Sequence, residues 1–273
     1  LDNTVNQNPV LKKAGVVDTV IAYNRHIESA RRAVEIGAAD SVAETMREAA
    51  IGADAVLIAV PVLAMRSVFE DIAPVLAQTT VISDVGSVRA TLVVDARQAF
   101  GKASCNYCPV HPIAGGEKTG VDAAVPSLFV GANAIVTPLE ETSEVSRSIW
   151  RKLWAATGAN LLEMTVAEHD SIFASVSHLP HVVAFALVNA VLSMDSPERR
   201  LPLAGPGFRD TTRIAASSPT MWRDICLANQ KALLESLLAY KDNLEDICRA
   251  IEKGDGKAIE EFFERSAKAR RGL

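Results

Sequence analysis

The stretch "TVISDVGSVRATLVVDARQAF" (residues 80–100) reads as a β-rich run over 80–85, a short polar turn carrying Asp84, Gly86 and Ser87, and an amphipathic helix over 88–100. A strand that feeds straight into a helix is half of a parallel crossover unit. The same grammar recurs outward in both directions. "AVLIAV" (55–60) is an apolar strand followed by an amphipathic run at 62–76, and "DTVIAYN" (18–24) is a strand followed by the helix "RHIESARRAVEIG" (25–37), which Gly37 ends. Further strands are expected at "NYCPV" (106–110), "NAIVTP" (133–138) and "ANLLEM" (159–164). Apolar strands spaced by helices predict a parallel sheet covered on both faces, so residues 1–164 are expected to form a doubly wound, Rossmann-like α/β domain.

The strand pattern stops after Met164. "VAEHDSIFASVSHLPHVVAFALVNAVLSM" (166–194) predicts a long apolar helix kinked at Pro180. A Gly- and Pro-rich link, "SPERRLPLAGPGF" (196–208), follows. Trp222, Ile225, Cys226, Leu233, Leu237, Tyr240, Leu244, Ile247 and Ile251 then recur at helical spacing over some thirty residues. A helix that long and apolar needs a partner surface. Residues 165–273 are therefore expected to be an all-α dimerisation domain, with a homodimer made by exchange of helices.

The chain of 273 residues is 49% apolar with a net charge of -5, which supports a packed core and argues against a nucleic-acid binder. "AVLIAVPVLAM" (55–65) is too short to span a bilayer, and the polar start carries no signal peptide, so a soluble, cytoplasmic protein without a membrane partner is expected. Cys105 and Cys108 form a lone C-x-x-C on what reads as a strand, where their thiols would diverge. Cys226 and Cys248 read as helix core, and all four as reduced thiols.

Ligands of open α/β sheets bind beyond the carboxyl ends of the strands. Asn24 and Arg25, Pro61, the Asp84–Gly86–Ser87 turn and His111 fall at such ends. His111, in "HPIAGGEKTG" (111–120), suits a general base near neutral pH. In the helical half "SVSHLPH" offers Ser177, His178 and His181. The two histidines share a helix face, but no third ligand completes a metal site, so substrate contact is favoured and no metal is expected. Arg209 and Arg213 in "GFRDTTR" suit carboxylate binding, and equally a solvated helix start with Asp210 as partner.

From about Leu11 onward the chain resembles the prephenate/arogenate (cyclohexadienyl) dehydrogenase family. The resemblance is carried by "DVGSVR" (84–89), "HPIAGGEKTGV" (111–121), "EHD" (168–170), "SHLPH" (177–181) and "GFRDTTRIAASSPTMWRDI" (207–225). It implies oxidative decarboxylation of prephenate or L-arogenate, with hydride transfer to NAD(P)+ in tyrosine biosynthesis. It assigns His111 to accept the ring hydroxyl proton and Ser87 to hydrogen-bond near that hydroxyl and the nicotinamide. Arg213 would clamp a substrate carboxylate, Ser177, His178 and His181 would line the pocket, and Glu117 would gate access. Asn24, Arg25, Pro61, Asp84 and Gly86 would serve the cofactor.

Two departures stand out. No glycine precedes Gly15, so the first strand and the G-x-G-x-x-G turn read as missing or replaced, with "VLKKAG" as the tail of the helix that follows that turn. Poor dinucleotide binding is the expected consequence, and a catalytically impaired dimeric relative is the alternative reading. Asn24 beside Arg25 also replaces the acidic residue expected for NAD, which favours NADP over NAD. A β-hydroxyacid dehydrogenase, the remaining alternative, would want a lysine where this chain has histidines. No regulatory domain is expected after the helical half, so any feedback by tyrosine would act at the active site.

Overall fold

The computed structural model describes residues 8–114, 120–123, 125 and 127–272. The sheet-bearing half runs α1 (Asn8–Lys13), β1 (Ile21–Ala22), α2 (Ile27–Glu35), β2 (Ser41–Val42), α3 (Met46–Ala50), β3 (Ala55–Ile58), α4 (Met65–Ile72), β4 (Val81–Asp84), α5 (Ala90–Phe100), β5 (Val110–Ile113), β6 (Asn133–Val136), α6 (Glu144–Ala156) and β7 (Asn160–Glu163). β1 and β2 pair in parallel, as do β3 and β4, in register from Ala55 opposite Val81 to Ile58 opposite Asp84. These pairs correspond to the two flanks of a doubly wound order. The strand that would lie between β1 and β3 is not among the described residues.

The sheet is not wholly parallel as the sequence predicts. β5 runs antiparallel to β6, with His111 opposite Ile135, and β6 runs parallel to β7. No described α-helix lies between β5 and β6, and an antiparallel neighbour needs no helical crossover. The predicted strand at 106–110 is also displaced. Tyr107 makes one parallel bridge to Ile82, and β5 proper starts at Val110. Cys105 lies in a 3-10 turn, not on a strand.

Alternation of apolar strand and amphipathic helix fills the space between β3, β4 and the helices above them. Met65, Phe69, Ile82, Val88, Leu92 and Tyr107 are fully buried there. The rings of Phe69, Phe100 and Tyr107 pack with centroids 5.2–6.0 Å apart. Trp222 and Ile225 of the helical half enter the same cluster, so the two halves share one core.

The helical half comprises α7 (Val166–Phe173), α8 (Leu179–Leu192), the short α9 (Pro197–Arg200) and α10 (Pro206–Thr212), α11 (Pro219–Ala228), α12 (Gln230–Glu252) and α13 (Gly256–Arg270). A capping box starts α7: Glu168 N–H donates to Thr165 Oγ1 and Thr165 N–H to the Glu168 carboxylate. Between α7 and α8 the chain makes a π-turn over Ala174–His178. Pro180 has no N–H to give and its ring crowds the carbonyl four residues back, and the wider turn relieves both. The continuous helix Val166–Leu192 is longer than the 55–65 stretch and, by length and composition alone, could cross a bilayer. Its inward face instead carries buried His169, Asp170 and His178.

The thirty-residue helix predicted from Trp222 onward is two helices broken at Asn229, whose backbone (φ -110°, ψ 36°) leaves the helical region. Only Leu233 of α12 is buried, while Leu234, Leu238, Leu244 and Ile251 are exposed in the single chain. Cys226 is half-buried and Cys248 exposed, so the expectation that both are core is corrected: these helices leave much of their surface uncovered by the chain's own packing.

Candidate active site

The turn after β4 is built around a buried ion pair. The Asp84 carboxylate accepts from Gly86 N–H at 2.7 Å, from the Arg89 guanidinium at 2.9 and 3.2 Å, and from the Tyr107 hydroxyl. Both charged side chains are fully buried, and Arg89 also donates to the Gly86 carbonyl. A Cβ on Gly86 would sit 2.6 Å from Leu92 Cδ1, 2.7 Å from Arg89 Nη2 and 2.9 Å from Asp84 Oδ1, so only glycine fits. Asp84 and Gly86, expected to serve the cofactor, are thus both built into the frame of this turn. The carboxylate is turned inward and saturated by protein donors, and its work is to hold the turn that presents half-buried Ser87.

His111, on β5, is the meeting point of the two halves. Its Nδ1 lies 2.8 Å from His169 Nε2, and its ring packs edge-on against Phe173 at 4.9 Å. His169 Nδ1 in turn lies 2.8 Å from Asp170 Oδ1. The Asp170 carboxylate also accepts from the backbone N–H groups of Arg89 and Ala90, both at 2.8 Å. A chain of contacts thus runs from β5 through α7 to the N-terminus of α5.

Burial, then the Arg89 charge and the neighbouring His169 and His178, holds His111 well below the ordinary histidine range. His169 is lowered by burial, against the pull of its hydrogen bond to Asp170. Burial would push Asp170 up, but hydrogen bonds from His169, Ala90 and Arg89 outweigh it and the carboxyl lies low. The histidines are therefore neutral and Asp170 ionised at neutral pH.

Of the residues expected at the pocket, His178 is buried beside Asn229, whose Nδ2 is 3.2 Å from its Nδ1. Burial pulls His178 down to about 4, with the Ser87 backbone among the groups facing it. Ser177 is half-buried and its carbonyl is 2.9 Å from His181 Nδ1. His181 stacks on Trp222 at 3.7 Å and is lowered by burial and by the Arg213 charge. Arg213 itself is exposed after α10. Ser87, His111, Ser177, His178, His181 and Arg213 thus belong to linked surroundings, whereas Glu117 lies outside the described residues. On the opposite flank, Asn24 Oδ1 accepts from His26 N–H at 2.8 Å just before α2, and Arg25 and Pro61 are exposed.

His169 is visible in the sequence only as a histidine one or two turns before Ser177, and Asp170, Trp222 and Asn229 are not marked as site residues there. The adjacent His-Asp pair in "EHD" was the available signal, but its partners come from a different half of the chain.

Residues 9–163 match the family described as "Prephenate dehydrogenase, nucleotide-binding domain", and residues 165–265 match "Prephenate dehydrogenase, dimerization domain". The chain belongs to the prephenate dehydrogenase family. Within it, the chain is 34% identical to the cyclohexadienyl dehydrogenase of Zymomonas mobilis over 93% of its length and 87% of the relative's. It is 32% identical to the prephenate dehydrogenase of Bacillus subtilis over 96% and 71%. The crystal structure of prephenate dehydrogenase from Aquifex aeolicus, in complex with hydroxyphenyl propionate and NAD+, superposes with a TM-score of 0.90 at 30% identity, covering 99% of this chain and 93% of that one. Synechocystis arogenate dehydrogenase gives a TM-score of 0.83 at 26% identity, covering 99% and 95%.

The nucleotide-binding domain implies an NAD(P) cofactor. The small Gly86–Ser87 turn after β4 and the neutral imidazole of His111 on β5 are of a size and chemistry that fit a flat nicotinamide. The described residues include no glycine-rich turn ahead of β1 for the pyrophosphate.

Proposed function

We propose that this chain is an NAD(P)-dependent dehydrogenase that oxidatively decarboxylates prephenate, L-arogenate or both, in tyrosine biosynthesis. The observation that carries the reading is His111: a neutral, half-buried imidazole near the start of β5, held by residues of the helical half. When bound, the nicotinamide supplies the hydride acceptor.

The chain's own residues supply the rest. His111 takes the proton from the ring hydroxyl as the carbinol C–H gives up its hydride, and carbon dioxide leaves as the ring becomes aromatic. Ser87 offers a hydroxyl beside that reaction. Arg213 supplies a cation for a substrate carboxylate, with His181 stacked on Trp222 as a flat wall nearby. Ser177 and His178 complete that side, and Glu117 is assigned to access by the family resemblance alone.

We further infer a preference for NADP. Asn24 is neutral, its Oδ1 accepts from His26 N–H, and exposed Arg25 stands beside it, so this pair sets a cation and no carboxylate where a 2′-phosphate would sit. The boundary between the working halves is put at Met164, two copies pair through the helical half, and the four free thiols suit a cytoplasmic setting. Formation of reduced nicotinamide with each substrate and each cofactor tests the whole reading. Turnover with neither substrate would overturn it, and a higher kcat/KM with NAD would overturn the cofactor choice.

A further inference from the structure

We propose that Asp170 and His169 are positioning residues that set the tautomer of His111 and share the proton it receives. The proposal rests on the reading of His111 as the base. It follows from counting donors and acceptors. An ionised carboxylate can only accept, so the 2.8 Å contact requires the hydrogen of His169 to sit on Nδ1. The Nε2 of His169 is then a bare lone pair. It faces His111 Nδ1 at 2.8 Å, so His111 must carry its hydrogen on Nδ1. That leaves His111 Nε2 bare, which is the form a base needs. The opposite arrangement would put a bare His169 Nδ1 against a carboxylate, two acceptors with no hydrogen between them.

The anchor is not free to rearrange. Asp170 is also bound by the backbone N–H groups of Arg89 and Ala90, so its orientation is fixed by the start of α5. His169 is fully buried, with Phe173 packed on its ring at 4.5 Å. On proton uptake at His111 Nε2, the Nδ1–H of His111 shifts toward or onto His169 Nε2, and His169 Nδ1–H remains on Asp170. The positive charge then lies one imidazole nearer the carboxylate, with no side chain moved. At His111 burial, Arg89 and His178 oppose that charge and no group favours it; at His169 burial and Arg89 oppose it too, but Asp170 and Asp84 favour it.

The test uses protein labelled with 15N-histidine, with His111 assigned by its loss in His111→Asn. The expected spectrum shows neutral His111 protonated on Nδ1 and bare on Nε2, in the absence of substrate or cofactor. His169→Phe removes the acceptor and should mix the tautomers of His111 and lower kcat by about 10²-fold. His169→Gln keeps an acceptor oxygen near the position of Nε2 but cannot take a proton. It should restore the tautomer and only part of kcat, and should move the acid limb of the pH profile. A His111 protonated on Nε2 in the unaltered protein would overturn the proposal, as would a His169→Phe enzyme with unchanged kcat and pH profile. Failure of the unaltered protein to turn over either substrate would overturn the functional reading while the tautomer result stood on its own.

Discussion

Asp170 of α7 caps α5, because Ala90 N–H donates to its Oδ2 at 2.8 Å. Residues eighty positions apart in the chain thereby join the helical half to the turn that carries Ser87. The same carboxylate orients His169, so one side chain serves the packing and the site together. Asp170→Ala would leave two backbone N–H groups of a helix start without their acceptor. A loss of roughly 2–4 kcal/mol is expected, and urea denaturation would read it as a lower midpoint at unchanged slope. An unshifted midpoint would mean that water replaces the carboxylate at no cost.

Replacing the base should separate chemistry from binding. Asn in place of His111 cannot take a proton at neutral pH, so turnover should fall about 10²–10⁴-fold. Cofactor affinity should hardly change, because the side chain's packing partners are His169 and Phe173. Steady-state kinetics with a nucleotide titration checks both halves of the statement. Retained turnover would move the base elsewhere.

Arg213 should act on binding more than on chemistry. A cation that clamps a carboxylate holds ground and transition states alike, so Arg213→Ala should raise the substrate KM at least tenfold with a smaller effect on kcat. Its charge also lowers His181, and the variant should let His181 titrate higher. An NMR titration of His181 and a KM measurement give independent readings. An unaltered KM would take Arg213 out of the site.

The sequence carried the strand-turn-helix grammar of the sheet half well, because apolar runs such as 55–60 and 80–85 report burial directly. It did not carry β2 at Ser41–Val42, whose two residues are too few to make a pattern. Nor did it carry the antiparallel β5, since strand direction depends on how the link returns and not on the strand's own residues. His111 stands out in the sequence as a candidate base because it follows the apolar run 106–110, although the structure places it within β5, opposite Ile135. Its partners do not stand out, because the contact of His111 with His169 spans 58 residues, and nothing local in "EHD" says which strand it will face. The bonds of Asp84 are not legible in the sequence for a related reason. A polar residue at a strand's carboxyl end is a candidate ligand contact until a buried Arg89 is seen to claim it.

The buried histidines give stability a pH dependence of definite sign. His111, His169 and His178 are all lowered, His178 to about 4, whereas the unfolded chain takes up these protons near 6.5. Between those values the unfolded state binds more protons than the folded one, so stability rises with pH and levels off above the ordinary histidine range. Lowered Asp170 works in the same direction further down, its contribution being lost as pH falls through its folded value. His178 alone corresponds to roughly 3 kcal/mol over the full window. Denaturation midpoints at about pH 5 and about pH 7 should differ, the higher pH being the more stable. The His178→Asn protein should show a smaller difference, and an equal one would mean that His178 is protonated in the fold.

Gly86 ties the proposed role of Ser87 to the packing of the turn after β4. Three atoms stand within 3 Å of where an alanine Cβ would go, and two of them belong to the Asp84–Arg89 pair. Leu92 Cδ1 can turn aside, but the guanidinium and carboxylate are fully buried and bonded to each other, to the Gly86 backbone and to Tyr107. Gly86→Ala must therefore push the ion pair apart or lift the turn. Overpacking of this kind costs roughly 1–3 kcal/mol, and either response displaces Ser87, the next residue. Gly256→Ala is the matched control. Its Cβ meets nothing within 4 Å, and it lies at the start of α13. The control should be neutral or slightly stabilising by helix propensity, with full activity, whereas Gly86→Ala should lower both the melting temperature and kcat. Equal behaviour of the two variants would mean that the turn after β4 tolerates a shift as large as a methyl group, and that its shape is not what presents Ser87.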